Sequence, residues 1–118
     1  MQTLSLSRVA NCQLVVPDVL EAAAREMVHA ASDYESWRFG YGDRFLDEVS
    51  SAFRFVDRFP LLGSPWLLEG VPEGIRRVVL RAFPYSVVYV TDPRAIVIAI
   101  AHASMHPLYW IDRLDEAK

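Results

Sequence analysis

The stretch Tyr85-Ser-Val-Val-Tyr-Val-Thr-Asp-Pro-Arg-Ala-Ile-Val-Ile-Ala-Ile-Ala-His102 decides the fold. Ser86 to Thr91 contains Val87, Val88, Tyr89 and Val90, the β-branched and aromatic types that suit a pleated strand. Asp92-Pro93 is a turn signal. Ala95 to Ala101 is apolar throughout, as expected for a central strand covered on both faces. Upstream, Ile75 to Leu80 is a third β-type run, separated from the second by Phe83-Pro84. Connections this short leave room only for reversal, so the three runs form an antiparallel meander.

Toward the N-terminus the period changes. Phe45, Val49, Ala52, Val56 and Phe59 recur at spacings of four and three, with Leu46 and Phe53 widening the stripe and Pro60 ending it. Asp43, Arg44, Asp47, Glu48, Arg54, Asp57 and Arg58 fill the opposite face. An earlier helix carries Leu20, Ala24, Met27, Ala31 and Tyr34 on one face, starts near Pro17-Asp18 with Asp18 as its cap, and runs to about Ser36. Phe39-Gly40-Tyr41-Gly42 breaks the helical pattern. The expected fold is α+β: an N-terminal antiparallel helical hairpin packed on one face of a three- to four-stranded, mainly antiparallel sheet. Leu14-Val15-Val16 is the candidate fourth, edge strand, and would let two copies pair as a homodimer. With no repeat or linker, residues 1–118 read as a single domain.

Composition narrows the function. Hydrophobic residues make up 53% of the chain, which excludes disorder. No apolar run approaches the length of a membrane span, and the N-terminus lacks a signal-peptide pattern, so a cytoplasmic protein with no membrane role is expected. The net charge of -3 counts against strong binding of free nucleic acid, which calls for a basic face. Eleven of the twelve basic residues are Arg and one is Lys118.

Chemistry-bearing patterns are sparse. Cys12 is alone and offers neither a disulfide nor metal spacing. His102 and His106 lie four apart, but after a strand and before Pro107, with no third ligand at suitable spacing; His29 sits on the first helix. No metal and no cofactor are expected. Asp47, Glu48, Asp112, Asp115 and Glu116 read as solvated carboxylates. Arg76, Arg77 and Arg81 fit a docking site for carboxylates or phosphates, or else an exposed rim, with Arg77 and Arg81 sharing a strand face. Trp37, Trp66, Tyr109 and Trp110 serve either as partner anchors or as lids on the core; Trp66 leans to the lid and Tyr109-Trp110 divides evenly.

In their order, these signals resemble the RelE/ParE toxin superfamily, in its ParE-like, plasmid-stabilisation branch. The stretches that carry the resemblance are Glu26-Met27 to Tyr34-Glu35, Arg44-Phe45-Leu46-Asp47-Glu48-Val49, Phe59-Pro60 with Gly63, and Arg76-Arg77 with Val79-Leu80. Phe83-Pro84-Tyr85, Val88-Tyr89, Ile96 to His102, and Pro107 with Tyr109-Trp110 complete it. The resemblance implies a type II toxin neutralised by a cognate antitoxin. One branch of the superfamily cleaves mRNA in the ribosome; the other poisons DNA gyrase. Arginines of the nuclease branch would fall at Ser86 and near Met105, and both are absent. That favours the gyrase-binding branch with no catalytic residues, ahead of a ribosome-dependent endoribonuclease or a non-toxic interaction module. The chain departs from the ParE-like branch at Ala103-Ser104-Met105-His106, where that branch is arginine-rich. The implied target- or antitoxin-binding residues are Arg76, Arg77, Arg81, His102, Tyr109 and Trp110. Contact surfaces are expected on the hairpin, near Trp37 and Phe39, and on the sheet edge.

Overall fold

A computed structural model describes residues 17–117, apart from 68, 93 and 107. Its elements are β1 (Asp18–Val19), α1 (Glu21–Trp37), α2 (Tyr41–Arg58), β2 (Ser64–Pro65), β3 (Ile75–Val79), β4 (Tyr85–Val90), β5 (Ile96–His102) and a 3-10 turn at Ile111–Asp115. The sheet order is β1-β5-β4-β3-β2. β1 runs parallel to β5, and the other three pairings are antiparallel. The fold is α+β, with a helical hairpin and the expected meander. The sheet has five strands because a two-residue strand is added at each edge. The expected strand at Leu14–Val16 lies outside the described residues.

Asp18 is not a helix cap. It lies in β1 opposite Ile96, and its carboxylate accepts Arg94 Nε at 2.7 Å. The helix starts at Glu21, after Leu20 has donated its N–H to Val97 O at 2.9 Å. On α1 the buried stripe is Ala23, Met27, Ala30 and Ala31, while Leu20 packs on the far side of the sheet. The stripe on α2 is as the spacing requires, with Phe45, Leu46, Val49, Ala52, Phe53 and Val56 all buried. Phe59 is the exception: it caps the helix, stays 47% exposed and tilts against Phe55.

The hairpin closes tightly for a local reason. Gly40 adopts φ 87°, a left-handed conformation that other residues resist. Glu35 then accepts the otherwise free N–H groups of Gly40 and Gly42, each at 3.0 Å. At Gly42 a Cβ would lie 2.6 Å from Ala31 O, so a larger residue would push the helices apart.

The core has two layers, one on each sheet face. Val87, Tyr89, Val97 and Ile100 meet the hairpin. Ile75, Val88, Val90, Ile96, Ile98, Ala99 and Ala101 meet Trp66, Trp110, Leu114 and Ala117. β5 is apolar without alternation because both its faces are covered, and a β-bulge adds one more residue to the second face. Val88 faces Ala99 and Tyr89 faces Val97, so Ile98 is the extra residue and shares a face with Ala99.

Candidate groove beside the open edge of the central strand

β1 ends at Val19, opposite Val97, so among the described residues the rest of β5 has no strand neighbour on that side. Over this open edge α1 and the C-terminal segment form a groove of about 750 Å3, lined among others by Glu26, His29, Tyr85, His102, Tyr109 and Arg113. Glu26 lies at its centre. One carboxylate oxygen accepts the Ile100 N–H at 3.0 Å and an Arg113 N–H at 2.9 Å; the other accepts the Tyr109 hydroxyl at 2.7 Å and a second Arg113 N–H at 3.1 Å. Arg113 also donates to Ile98 O at 3.1 Å. The pair therefore covers one acceptor and one donor of the strand edge, where a neighbouring strand would otherwise sit.

These contacts set the chemistry. Burial first, then the bond to the Glu26 carboxylate, pushes the Tyr109 hydroxyl well above the usual tyrosine range. The same carboxylate holds the Arg113 guanidinium above its ordinary value. Tyr109 thus donates to Glu26 as a neutral phenol, and Glu26, already accepting four bonds, is poorly placed to take a proton from a substrate. His102 packs edge-on to Tyr85, ring centres 4.9 Å apart, and its Nδ1 accepts the Ser104 N–H at 3.0 Å. Neutral His102 therefore carries its proton on Nε2.

The six residues selected from sequence do not form one site. His102 and Tyr109 line the groove. Arg76 lies on the hairpin side of the sheet and donates to Gly63 O at 2.7 Å. Arg77 lies on the other side, its guanidinium 4.5 Å above the Trp66 ring. Arg77 and Arg81 do not share a strand face, because β3 ends at Val79 and Arg81 sits in the following turn. There its N–H donates to Glu48 at 2.8 Å, so Glu48 anchors a turn as well as facing solvent. Trp110 is fully buried and packs tilted against Trp66, ring centres 5.4 Å apart, a lid rather than a surface anchor. Sequence reasoning passed over Glu26 and Arg113. Glu26 had a signal: it stands three after Ala23 and four before Ala30, a carboxylate on the buried face of α1. Arg113, in the unpatterned tail, had none.

A second surface lies at the hairpin tip. Phe39 is 91% and Trp37 70% exposed. The Tyr41 ring has Arg38 and Arg44 each at 5.3 Å and Trp37 edge-on at 5.3 Å. Among the described residues, no helix is long and apolar enough to cross a membrane, and no group of three or more His, Cys, Asp or Glu is placed to hold a metal.

A family model for the ParE toxin of the type II toxin-antitoxin system parDE matches residues 19–107. The chain belongs to the ParE toxin family. The match spans α1, α2 and β2 to β5, and so takes in Glu26 and His102 but stops short of Tyr109, Trp110 and Arg113. A solved structure described as the chromosomal ParDE TA system from P. aeruginosa shares the fold, with a TM-score of 0.63 at 15% identity, covering 76% of this chain and 98% of that one. No curated protein matches. In this ParE toxin, then, the groove joins α1, inside the matched span, to a C-terminal segment beyond it.

The tyrosine environment predicts an alkaline limit for this ParE toxin. Burial raises Tyr34, Tyr85, Tyr89 and Tyr109 above the usual value of 10.0. The unfolded chain ionises its tyrosines near that value while the fold keeps them neutral. Stability is therefore fully present below about pH 10 and falls as pH rises beyond it. Thermal unfolding between pH 9 and 11 should show the fall. Tyr109→Phe, which removes one of the shifted phenols, should show a shallower one; parallel slopes would contradict the assignment.

Proposed function

We propose that this chain is a binding-type toxin of the cytoplasm that acts by docking on a protein target, DNA gyrase, and is neutralised by a cognate antitoxin laid along the groove. The observation that carries this reading is the state of the groove in a ParE-family chain. Its carboxylate is engaged by four donors, its tyrosine is held neutral, and Ser86 and Met105 stand where the nuclease branch would carry arginines. Charge developing on a cleaved phosphodiester would lack the cationic stabilisation that such a reaction needs. The exposed Trp37, Phe39 and arginine-flanked Tyr41 have the composition of protein-binding hot spots.

One observation favours a second reading. His102, Tyr85 and Tyr109 converge on the same groove, and a ribosome-dependent ribonuclease would use such groups. The experiment is induction of the chain in a bacterial host, alone and with the small gene beside it, followed by colony counts. The binding reading expects a steep fall rescued by the neighbour, inhibition of ATP-dependent supercoiling by gyrase, and transcripts left intact on ribosomes. Cleaved transcripts with normal supercoiling would move the assignment to the ribonuclease. Normal growth at verified soluble expression would leave an interaction module of the same fold.

A further inference from the structure

We infer that the hairpin tip, Trp37 to Arg44, is the part of the toxin that enters its protein target, where Phe39 fills an apolar pocket and Arg38 and Arg44 clamp carboxylates on its rim. The inference rests on the binding-type reading above and names the surface that serves it and the chemistry on the other side.

The tip is built to hold apolar side chains in water. Arg38 donates its N–H to Tyr34 O at 2.9 Å, Tyr41 donates to Arg38 O at 3.1 Å, and Arg44 donates to Gly40 O at 3.2 Å. Gly40 turns in the left-handed conformation, and the Glu35 carboxylate binds the N–H groups of Gly40 and Gly42. The connection between the helices is therefore fixed along its length. A tight turn is ordinarily made of small polar residues. This one carries Phe39, almost fully exposed, beside an exposed Trp37. Because the backbone beneath them is already ordered, a partner that covers these rings gives up little further entropy.

The arginines are held as well. Both are exposed, and each guanidinium lies 5.3 Å from the Tyr41 ring, which Trp37 meets edge-on. Among the described residues neither is in a salt bridge. A guanidinium stacked on a ring keeps its N–H edge free, and that planar fork matches a carboxylate. An aromatic plug with such forks beside it has the make-up of an interface hot spot. Charge decides between protein and nucleic acid. From 33 to 47 the chain carries Asp33, Glu35, Asp43 and Asp47 against Arg38 and Arg44. A polyanion calls for a basic face and meets an acidic surplus here. A protein surface that sets single carboxylates opposite the two arginines avoids that repulsion. None of residues 37–44 lines the groove, so tip and groove can be tested separately.

The test measures inhibition of ATP-dependent supercoiling by gyrase with the purified chain, Phe39→Ala, and the double variant Arg38→Gln with Arg44→Gln. Urea unfolding checks the fold, and calorimetry with the antitoxin encoded beside the chain checks the groove. Each variant should need at least about tenfold more protein than the parent for equal inhibition. The urea midpoint should stay in place, and antitoxin affinity should change by less than about twofold. Arg38→Lys with Arg44→Lys keeps the charge without the fork and should restore only part of the loss; full activity of that pair overturns the clamping role. Variants as inhibitory as the parent overturn the tip as the contact and leave the binding-type reading standing. A matching loss of antitoxin affinity puts the antitoxin at the tip and overturns the assigned occupant. A fluorescent single-stranded oligonucleotide bound by the parent and not by the variants puts nucleic acid there and overturns the protein pocket. A parent chain that leaves supercoiling untouched overturns the gyrase reading and this inference with it.

Discussion

Trp110→Ala is expected to destabilise the fold by about 3–5 kcal/mol, a large part of the roughly 5–15 kcal/mol that holds a domain of this size together. The unfolding temperature should fall by roughly 15 °C or more. Trp110 is the largest fully buried side chain. It supplies much of the layer beneath Val88, Ile98, Ala99 and Ala101, and it supports Trp66, which in turn carries the Arg77 guanidinium. Truncation removes the floor of that stack and leaves a cavity bounded by strand residues that cannot collapse into it. Trp110→Phe should behave differently. The indole Nε1 is buried and meets no acceptor among the described residues. Losing it removes an unsatisfied donor, which offsets part of the lost apolar contact, so the phenyl variant should stay within about 1–2 kcal/mol of the parent. Urea unfolding of both variants distinguishes a core role from a surface one: an alanine variant as stable as the parent would remove Trp110 from the core.

Glu26→Ala should cost about 2–4 kcal/mol. It strands the Arg113 guanidinium, the Tyr109 hydroxyl and the Ile100 N–H together. The two charged side chains keep 24% and 19% of their surface exposed, so water relieves some of the loss and the value belongs in the lower half of the range for buried pairs. Removing both partners should be milder than the single changes suggest. Glu26→Ala with Arg113→Ala leaves no unpaired charge, so the two effects should fall short of additivity by more than about 1 kcal/mol. Strict additivity in a urea double-mutant cycle would show that Glu26 and Arg113 do not act as a pair.

The parts of the fold legible in sequence were those with a repeating reason. The α2 stripe from Phe45 to Val56 follows from its spacing, and the meander from Ile75 to His102 from β-type runs set between turn signals. What sequence missed came from single contacts across long separations. Asp18 looks like a cap until Arg94 claims its carboxylate. Arg81 looks coplanar with Arg77 until Glu48 binds the backbone of the turn and β3 ends early. Ile98 disturbs the alternation of β5 by a bulge that an unbroken apolar run conceals. The groove was half legible: His102 and Tyr109 were singled out, and Glu26 was visible as a carboxylate on a buried stripe, but Arg113 reaches it through folding alone.

The closure of Glu26 by Arg113, 87 residues further along the chain, also has a meaning in time. Synthesis proceeds at roughly 5–20 residues per second, so α1 waits for several seconds before its counterpart is made. For most of that interval the meander is incomplete, and until the C-terminal segment follows β5 the Trp110 layer is missing. A nascent chain therefore passes through a stage in which it can neither hold its groove nor hide its central strand. The segment that carries Tyr109, Trp110 and Arg113 then closes the groove and covers the sheet.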